Sequence, residues 1–419
     1  MLLDTAKTRG RAPSRAKGGL FFLLGPAFVA AIAYVDPGNV AANLTSGASY
    51  GYLLVWVLVA ANLMAMLVQY QSAKLGVVTG KSLPELLGER FSTPARRLYW
   101  VQAEIVAMAT DLAEVVGGAI ALNLLFHVPL PVGGLIVGVA SMALLTVQNR
   151  RGQRHFESLI IVLLVIITVG FLAGLVLSPP SPAGILSGLV PRFEGSDSIL
   201  LAAGMLGATV MPHAIYLHSQ LSRDRHTDAR STPQSLARII KATRWDVVVA
   251  LLLAGAVNIG MLLLAASTLG GVAGTDSIEG AHAAIVNSLG PVIGVVFAVG
   301  LLASGLASTS VGAYAGASIM NGLLKVRFPL LARRMVSLIP ALILLGAGVD
   351  PTWALIASQI VLSFGIPFAL IPLLRLTASK SLMGVHRDGV ALRLAALVSV
   401  ALIVALNAVL LWLTFSGRA

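Results

Sequence analysis

Eleven apolar stretches, each about long enough to cross a bilayer, limit what this chain can fold into more than any other feature of its sequence. A helix rises about 1.5 Å per residue, so a hydrocarbon core of about 30 Å needs about 20 apolar residues. The stretches run 20–47, 50–73, 98–125, 130–147, 156–178, 197–219, 244–270, 284–308, 331–348, 352–374 and 391–415, the first and sixth being interrupted. Composition agrees: 57% of residues are hydrophobic and 11% charged, whereas soluble domains carry about 25% charged residues. The fold class is therefore all-α integral membrane, with eleven spans. The chain has no cysteine, which excludes thiolate metal sites and disulfides. A basic segment (Lys7 to Lys17) and an apolar run open the chain like a signal peptide, but the run leads into Asp36-Pro37-Gly38-Asn39 rather than a cleavage site.

The charges set the orientation. Of 29 lysines and arginines, 27 lie before span 1, in the connections after even-numbered spans or within the first four residues of the span that follows; the exceptions are Arg192 and Arg418. The positive-inside rule then places the N-terminus in the cytoplasm and the C-terminus outside. It also excludes a nucleic-acid partner, because the basic residues are the flanks of membrane helices. Spans 1–5 (20–178) and 6–10 (197–374) form two five-helix halves of opposite topology, an inverted repeat, preceded by a basic tail at 1–19 and followed by an eleventh helix at 391–415. His127, His226, His282 and His386 fall in or near connections and are read as solvated.

Four carboxylates lie deep within spans: Asp36, Glu104, Asp111 and Glu114. Each costs about 2.5–3.5 kcal/mol at the bilayer centre, so such residues usually serve a function. Asp36 is followed by Pro37 and Gly38, which break a helix and free carbonyls that must find an ion, water or another helix. Span 6 repeats this at Met211-Pro212-His213, with His218 five residues on. Interrupted segments at corresponding positions of inverted halves point to a transporter's substrate site; the plainer reading is two proline kinks. Glu104, Asp111 and Glu114 share one helix face, with Arg333, Arg334, His213 and His218 as available cationic partners. That set reads as a proton relay or as a static ion-pair network.

The two breaks would gather the Asp36 carboxylate, the Asn39 amide oxygen, the Met211 thioether and the carbonyls of Ala33 and Ala208. Oxygen ligands alone suit Mg²⁺ or Ca²⁺; a soft thioether shifts the preference to transition metals such as Mn²⁺ and Fe²⁺. In an apolar helix, though, methionine is more often packing. No enzyme motif is present, and the ligands are too few for an intramembrane metalloenzyme. A Na⁺-coupled small-solute symporter would explain the breaks but not the thioether beside the histidines and acids. A passive channel is not favoured by inverted breaks.

The Asp-Pro-Gly-Asn segment at 36–39, Met-Pro-His-Ala-Ile-Tyr-Leu-His-Ser at 211–219 and the acidic stretch Glu104–Glu114 resemble the signature segments of the Nramp divalent-metal transporters. The resemblance covers nearly all of the chain from about residue 20. It implies a LeuT-type fold of 5+5 inverted repeats plus an eleventh helix, in a bacterial inner membrane. It implies symport of Mn²⁺, Fe²⁺ and related ions such as Cd²⁺ and Co²⁺ with protons, discrimination against Ca²⁺ and Mg²⁺, no cofactor and no obligate protein partner. By motif position, Asp36, Asn39, Met211 and the carbonyls of Ala33 and Ala208 correspond to metal ligands, and Gln359 to a ligand that joins on closure. Asp36, Glu104, Asp111, Glu114, His213, His218, Arg333 and Arg334 correspond to the proton and salt-bridge network. Pro37, Gly38 and Pro212 would serve as hinges and Asn258 as a gating residue.

Overall fold

In lipid every backbone N–H and C=O must be satisfied within the protein, so a spanning segment becomes a helix. The computed structural model describes residues 25–226, 232–275, 277–326 and 328–416, and no strand occurs among them. The basic tail 1–19, the first residues of span 1, and Arg230, Arg327 and Arg418 lie outside the described residues.

Every expected span contains a helix. The elements are α1 (Pro26–Ile32), a 3₁₀ turn (Ala33–Val35), α2 (Pro37–Tyr50), α3 (Val55–Thr79), α4 (Leu83–Arg90), α5 (Thr93–Phe126), α6 (Leu130–Arg151), α7 (Gln153–Leu177) and α8 (Pro182–Gly188). They continue as α9 (Gly195–Thr209), α10 (Pro212–Arg225), α11 (Pro233–Thr268), α12 (Ile278–Leu289), α13 (Pro291–Leu324), α14 (Leu330–Gly346), α15 (Pro351–Ala378), α16 (Lys380–Met383) and α17 (Val390–Phe415).

Several boundaries differ from expectation, among them the end of span 8, expected at 308, where α13 runs on to Leu324. Span 8 was read as 284–308, but the chain turns at Gly290, with φ 93°, and a new helix starts at Pro291. Glycine tolerates that left-handed backbone, and proline fits a helix start because it has no N–H to leave unpaired. Span 7 was read from residue 244, yet α11 starts at Pro233 behind a Thr232–Ser235 capping box. An apolar window detects the part of a helix that lies in lipid, not the turns that extend beyond it.

Spans 1 and 6 are broken as the sequence indicated. The chain leaves α1 through the 3₁₀ turn, becomes extended at Asp36 (φ −73°, ψ 167°) and re-enters a helix at Pro37. The Asp36 side chain caps α2 by accepting from the Asn39 N–H. The second break ends α9 at Thr209, passes through Val210 and extended Met211 (φ −70°, ψ 119°), and restarts at Pro212. Both broken helices lie inside the bundle. α11 packs on α1, α2 and α3, α10 on α3 and α13, α13 on α5 and α7, and α15 on α5 and α9. Apolar helices have little hydrophobic reason to associate within lipid, so small residues that permit close backbone approach hold them together. A Cβ at Gly117 of α5 would lie 1.9 Å from the Pro37 Cβ. The helix that carries the acidic stretch therefore lies directly against the first break. Outward, exposed side chains such as Val162 and Val165 on α7 and Leu394 and Leu402 on α17 form the lipid-facing surface.

The contact between α3 and α10 gives a direct test of this packing. A Cβ at Gly76 would lie 1.9 Å from the Ser219 carbonyl oxygen, whereas one at Gly346 meets nothing within 4 Å. Gly76→Val is expected to cost about 1–3 kcal/mol through overpacking and to lower the thermal midpoint of the purified protein. Gly346→Ala should leave that midpoint unchanged.

Candidate metal centre and adjoining ionisable network

Asn39 joins the two helix breaks. Its Nδ2 donates to Asp36 Oδ1 at 2.7 Å and to the Ala208 carbonyl at 3.0 Å. Its backbone N–H donates to the same Asp36 oxygen at 2.8 Å. The Gln359 amide of α15 lies beside the Asp36 carboxylate and against Gly38, where a Cβ would fall 1.6 Å from its Nε2. A Cβ at Gly207 would likewise lie 2.3 Å from the Gln359 carbonyl oxygen, so glycines on both broken helices admit α15. Asp36, Asn39, Met211 and Gln359 are all 0% exposed. Asp36 Oδ2, Asn39 Oδ1 and Gln359 Oε1 have no hydrogen-bond partner. Buried acceptors without donors are costly, and three of them on interacting residues form an environment that a cation would relieve. Among the described residues no group of three His, Cys, Asp or Glu side chains is placed to hold a metal. A cation here would depend on a mixed set: one carboxylate, amide oxygens, the thioether and backbone carbonyls. Ala33 lies in the 3₁₀ turn, 1% exposed.

The other carbonyls freed at the first break are satisfied by side chains. Asn258 of α11 donates to the Tyr34 carbonyl at 2.6 Å and accepts from Asn43 at 2.9 Å. Ser304 of α13 donates to the Val35 carbonyl. Asn43 and Ser304 were not singled out from the sequence; uncharged polar residues among apolar ones give little signal there.

The acidic stretch of α5 faces α13 and α14. Arg333 Nη2 donates to Glu104 Oε1 at 2.7 Å, and Arg334 Nη1 stands 3.2 Å from Asp111 Oδ1. Arg334 is 0% exposed and its Nε donates to Ser141 Oγ at 3.0 Å. Glu114 is also 0% exposed, neither of its oxygens has a hydrogen-bond partner, and its charged neighbours are Asp111, Arg334 and Asp36. Gly312 and Gly316, on one face of α13, leave space for these groups. A Cβ at Gly312 would lie 3.0 Å from Glu114 Oε2, and one at Gly316 would lie 2.1 Å from Arg333 Nη2. His213 meets this face through its Nδ1, 3.3 Å from Thr110 Oγ1, while its Nε2 has no partner. His218 stands apart from the acids. Its Nδ1 is 2.7 Å from Gln69 Oε1, and Gln69 Nε2 donates to the Tyr34 hydroxyl at 2.6 Å.

Near the basic end of the bundle are further buried charges. Asp246 of α11 accepts from the backbone N–H groups of Gly25 and Ala27 at 3.0 Å each, capping α1, and is 3% exposed. Glu157 of α7, also 3% exposed, pairs with Arg225 at 3.3 Å. Both carboxylates sit one or two residues inside their spans, and depth along a span does not reveal which helix end they meet. Lys74 pairs with Asp388, which also accepts from Gln71 at 2.8 Å. The reading of His226 as solvated is corrected: it is 2% exposed.

Residues 27–413 match the family described as Natural resistance-associated macrophage protein-like (Nramp). The divalent metal cation transporter MntH of Mycobacterium tuberculosis is 59% identical over 397 residues, covering 95% of this chain and 92% of that one. The protein of the same name from Bacillus subtilis is 44% identical over 400 residues, covering 95% and 93%. The crystal structure of a manganese transporter from Eremococcus coleocola superposes with a TM-score of 0.83 at 32% identity, covering 93% of this chain and 85% of that one. The nucleobase-cation symporter Mhp1 shares the fold with a TM-score of 0.59 at 15% identity, covering 94% and 93%.

The buried α5–α14 ion pair allows a quantitative test. Removing one partner of such a pair costs about 3–5 kcal/mol because the other charge is left buried. Arg334→Ala should therefore lower stability by that order, and adding Asp111→Asn should recover part of the loss. A double-mutant cycle on thermal unfolding measures this.

Proposed function

The chain belongs to the Nramp family of divalent-metal transporters, and from that premise we propose that it imports Mn²⁺, Fe²⁺ and related ions such as Cd²⁺ and Co²⁺ together with protons. It is a multi-pass membrane transporter, not an enzyme, and needs no cofactor; metal ions are its cargo. The observation that supports the site is the set of unpaired buried acceptors on Asp36, Asn39 and Gln359 where the two breaks meet. In this reading the ion is held by Asp36, Asn39, Met211 and the carbonyls of Ala33 and Ala208, with Gln359 joining as the site closes. The Asn39 NH₂ group now bridges two of these acceptors, Asp36 and the Ala208 carbonyl. Rotation of that amide would free both and present its oxygen to the metal.

The set favours Mn²⁺ and Fe²⁺ over Ca²⁺ and Mg²⁺ for a chemical reason. A thioether adds little for hard cations, which prefer oxygen, but binds softer transition metals. One carboxylate keeps binding loose enough for release. The breaks at Asp36–Pro37–Gly38 and Met211–Pro212 act as hinges between the halves of each helix. Asn258, which holds the Tyr34 carbonyl, is the gating contact between α11 and the first break.

Protons move beside the metal, between Asp36 or His213 and the α5 face of Glu114, Asp111 and Glu104. Arg334 and Arg333 neutralise these acids, and Glu114 and the His213 Nε2 have unused hydrogen-bonding capacity. His218 takes part through Gln69 and Tyr34 rather than through the acids. The distribution of basic residues supports a cytoplasmic N-terminus and an extracytoplasmic C-terminus in a bacterial plasma membrane. In alternating access the outer halves of spans 1 and 6 close over the bound metal and the cytoplasmic half of span 1 then opens, with α17 outside the 5+5 repeat of 20–178 and 197–374.

Uptake into proteoliposomes tests both parts of the reading. Wild type should accumulate Mn²⁺ in excess Ca²⁺, and Met211→Ala should lose roughly tenfold in Mn²⁺ over Ca²⁺ preference, about 1.4 kcal/mol of differential binding. An unchanged preference removes Met211 from the filter. Mn²⁺ entry should also acidify the lumen, as read by an internal pH dye; metal entry without acidification refutes proton coupling.

A further inference from the structure

Away from the metal centre, α3, α9 and α17 enclose a cavity of about 320 Å³, within the range of ligand sites, roughly 300–1,000 Å³. Its walls are apolar and include Trp56 and Met64 from α3, Ile199 and Leu206 from α9, and Leu402 and Val409 from α17. Leu402 is 52% and Val409 39% exposed, so the groove opens sideways on the face that meets the bilayer. Its mouth is built. Trp56 Nε1 donates to the Arg192 carbonyl at 3.3 Å, and the Trp56 ring meets Phe193 edge-on at 5.4 Å. These contacts fix Arg192 and Phe193 over one end of the groove, at the head of the segment 192–197 that leads into α9. That segment carries Arg192, Glu194 and Asp197, all exposed. Arg192 is the only basic residue in the connections after odd-numbered spans, so a topological role does not explain it.

We propose that this groove binds one aminophospholipid, with an acyl chain between α3, α9 and α17, the phosphate on Arg192 and the ammonium on Glu194 or Asp197. The apolar walls suit a chain that enters sideways from the bilayer. Guanidinium groups pair well with phosphate oxygens, and nearby carboxylates favour a zwitterionic head over an anionic one. Trp at the membrane interface is where an aromatic ring with one polar edge is stable. Leu206 lies three residues before the end of α9, so the bound chain touches the half-helix that leads to the second break without entering the metal centre.

Native mass spectrometry of the intact protein tests the proposal after exchange into detergent with either phosphatidylethanolamine or phosphatidylglycerol. Ala405 lines the groove from its exposed side, so Ala405→Trp fills it without disturbing the core. Wild type should retain one phosphatidylethanolamine and less phosphatidylglycerol. Retention should fall about tenfold in Ala405→Trp and severalfold in Arg192→Gln, with recovery in Arg192→Lys. Monodisperse elution shows that each variant is folded. If wild type retains no phospholipid, or Ala405→Trp retains as much as wild type, the groove assignment fails. Equal retention of both lipids, or no effect of Arg192→Gln, overturns the headgroup assignment.

Discussion

A backbone carbonyl within lipid must have a partner, and much of this structure follows from the two places where the helices stop supplying one. At the first break, Asn258 and Ser304 reach across from α11 and α13 to the Tyr34 and Val35 carbonyls. At the second, the Ala208 carbonyl is held by Asn39 from the first break. The breaks therefore depend on each other and on their neighbours. The partners come from α2, α11 and α13, so these helices must be correctly placed before the interruptions are tolerable. Asp36 has two roles in this arrangement. One oxygen caps α2, and the other is left without a partner inside the protein.

Buried charge is handled in the same way. The α5 acids lie at membrane depth because α14 supplies Arg333 and Arg334 and α13 supplies space. Glycine at 312 and 316 lets the Glu114 carboxylate and the Arg333 guanidinium lie directly against a helix backbone. A side chain at 316 would push Arg333 away from Glu104, and one at 312 would crowd the Glu114 carboxylate. At the basic end of the bundle, Asp246 caps α1 through two backbone N–H groups, where the helix dipole favours a carboxylate. Both ends of the first half-helix are thus held by side chains from other helices rather than by its own short hydrogen-bond ladder of seven residues.

The sequence by itself determined that the chain is an all-helical membrane protein, the approximate place of its apolar helices, and the positions of both breaks. Those properties are local: bilayer thickness sets the length of an apolar run, and proline beside glycine interrupts a helix wherever it stands. Tertiary structure decided what those features meet. It placed His218 with Gln69 and Tyr34 rather than with the acids, buried His226, and set Glu157 and Asp246 beneath α1. It also brought Asn43, Asn258 and Ser304 to the first break. The reason is common to all of these: an uncharged amide or hydroxyl, or a charge near a span end, is cheap enough to occur anywhere in a sequence. Its partner is chosen only when helices far apart in the chain come into contact.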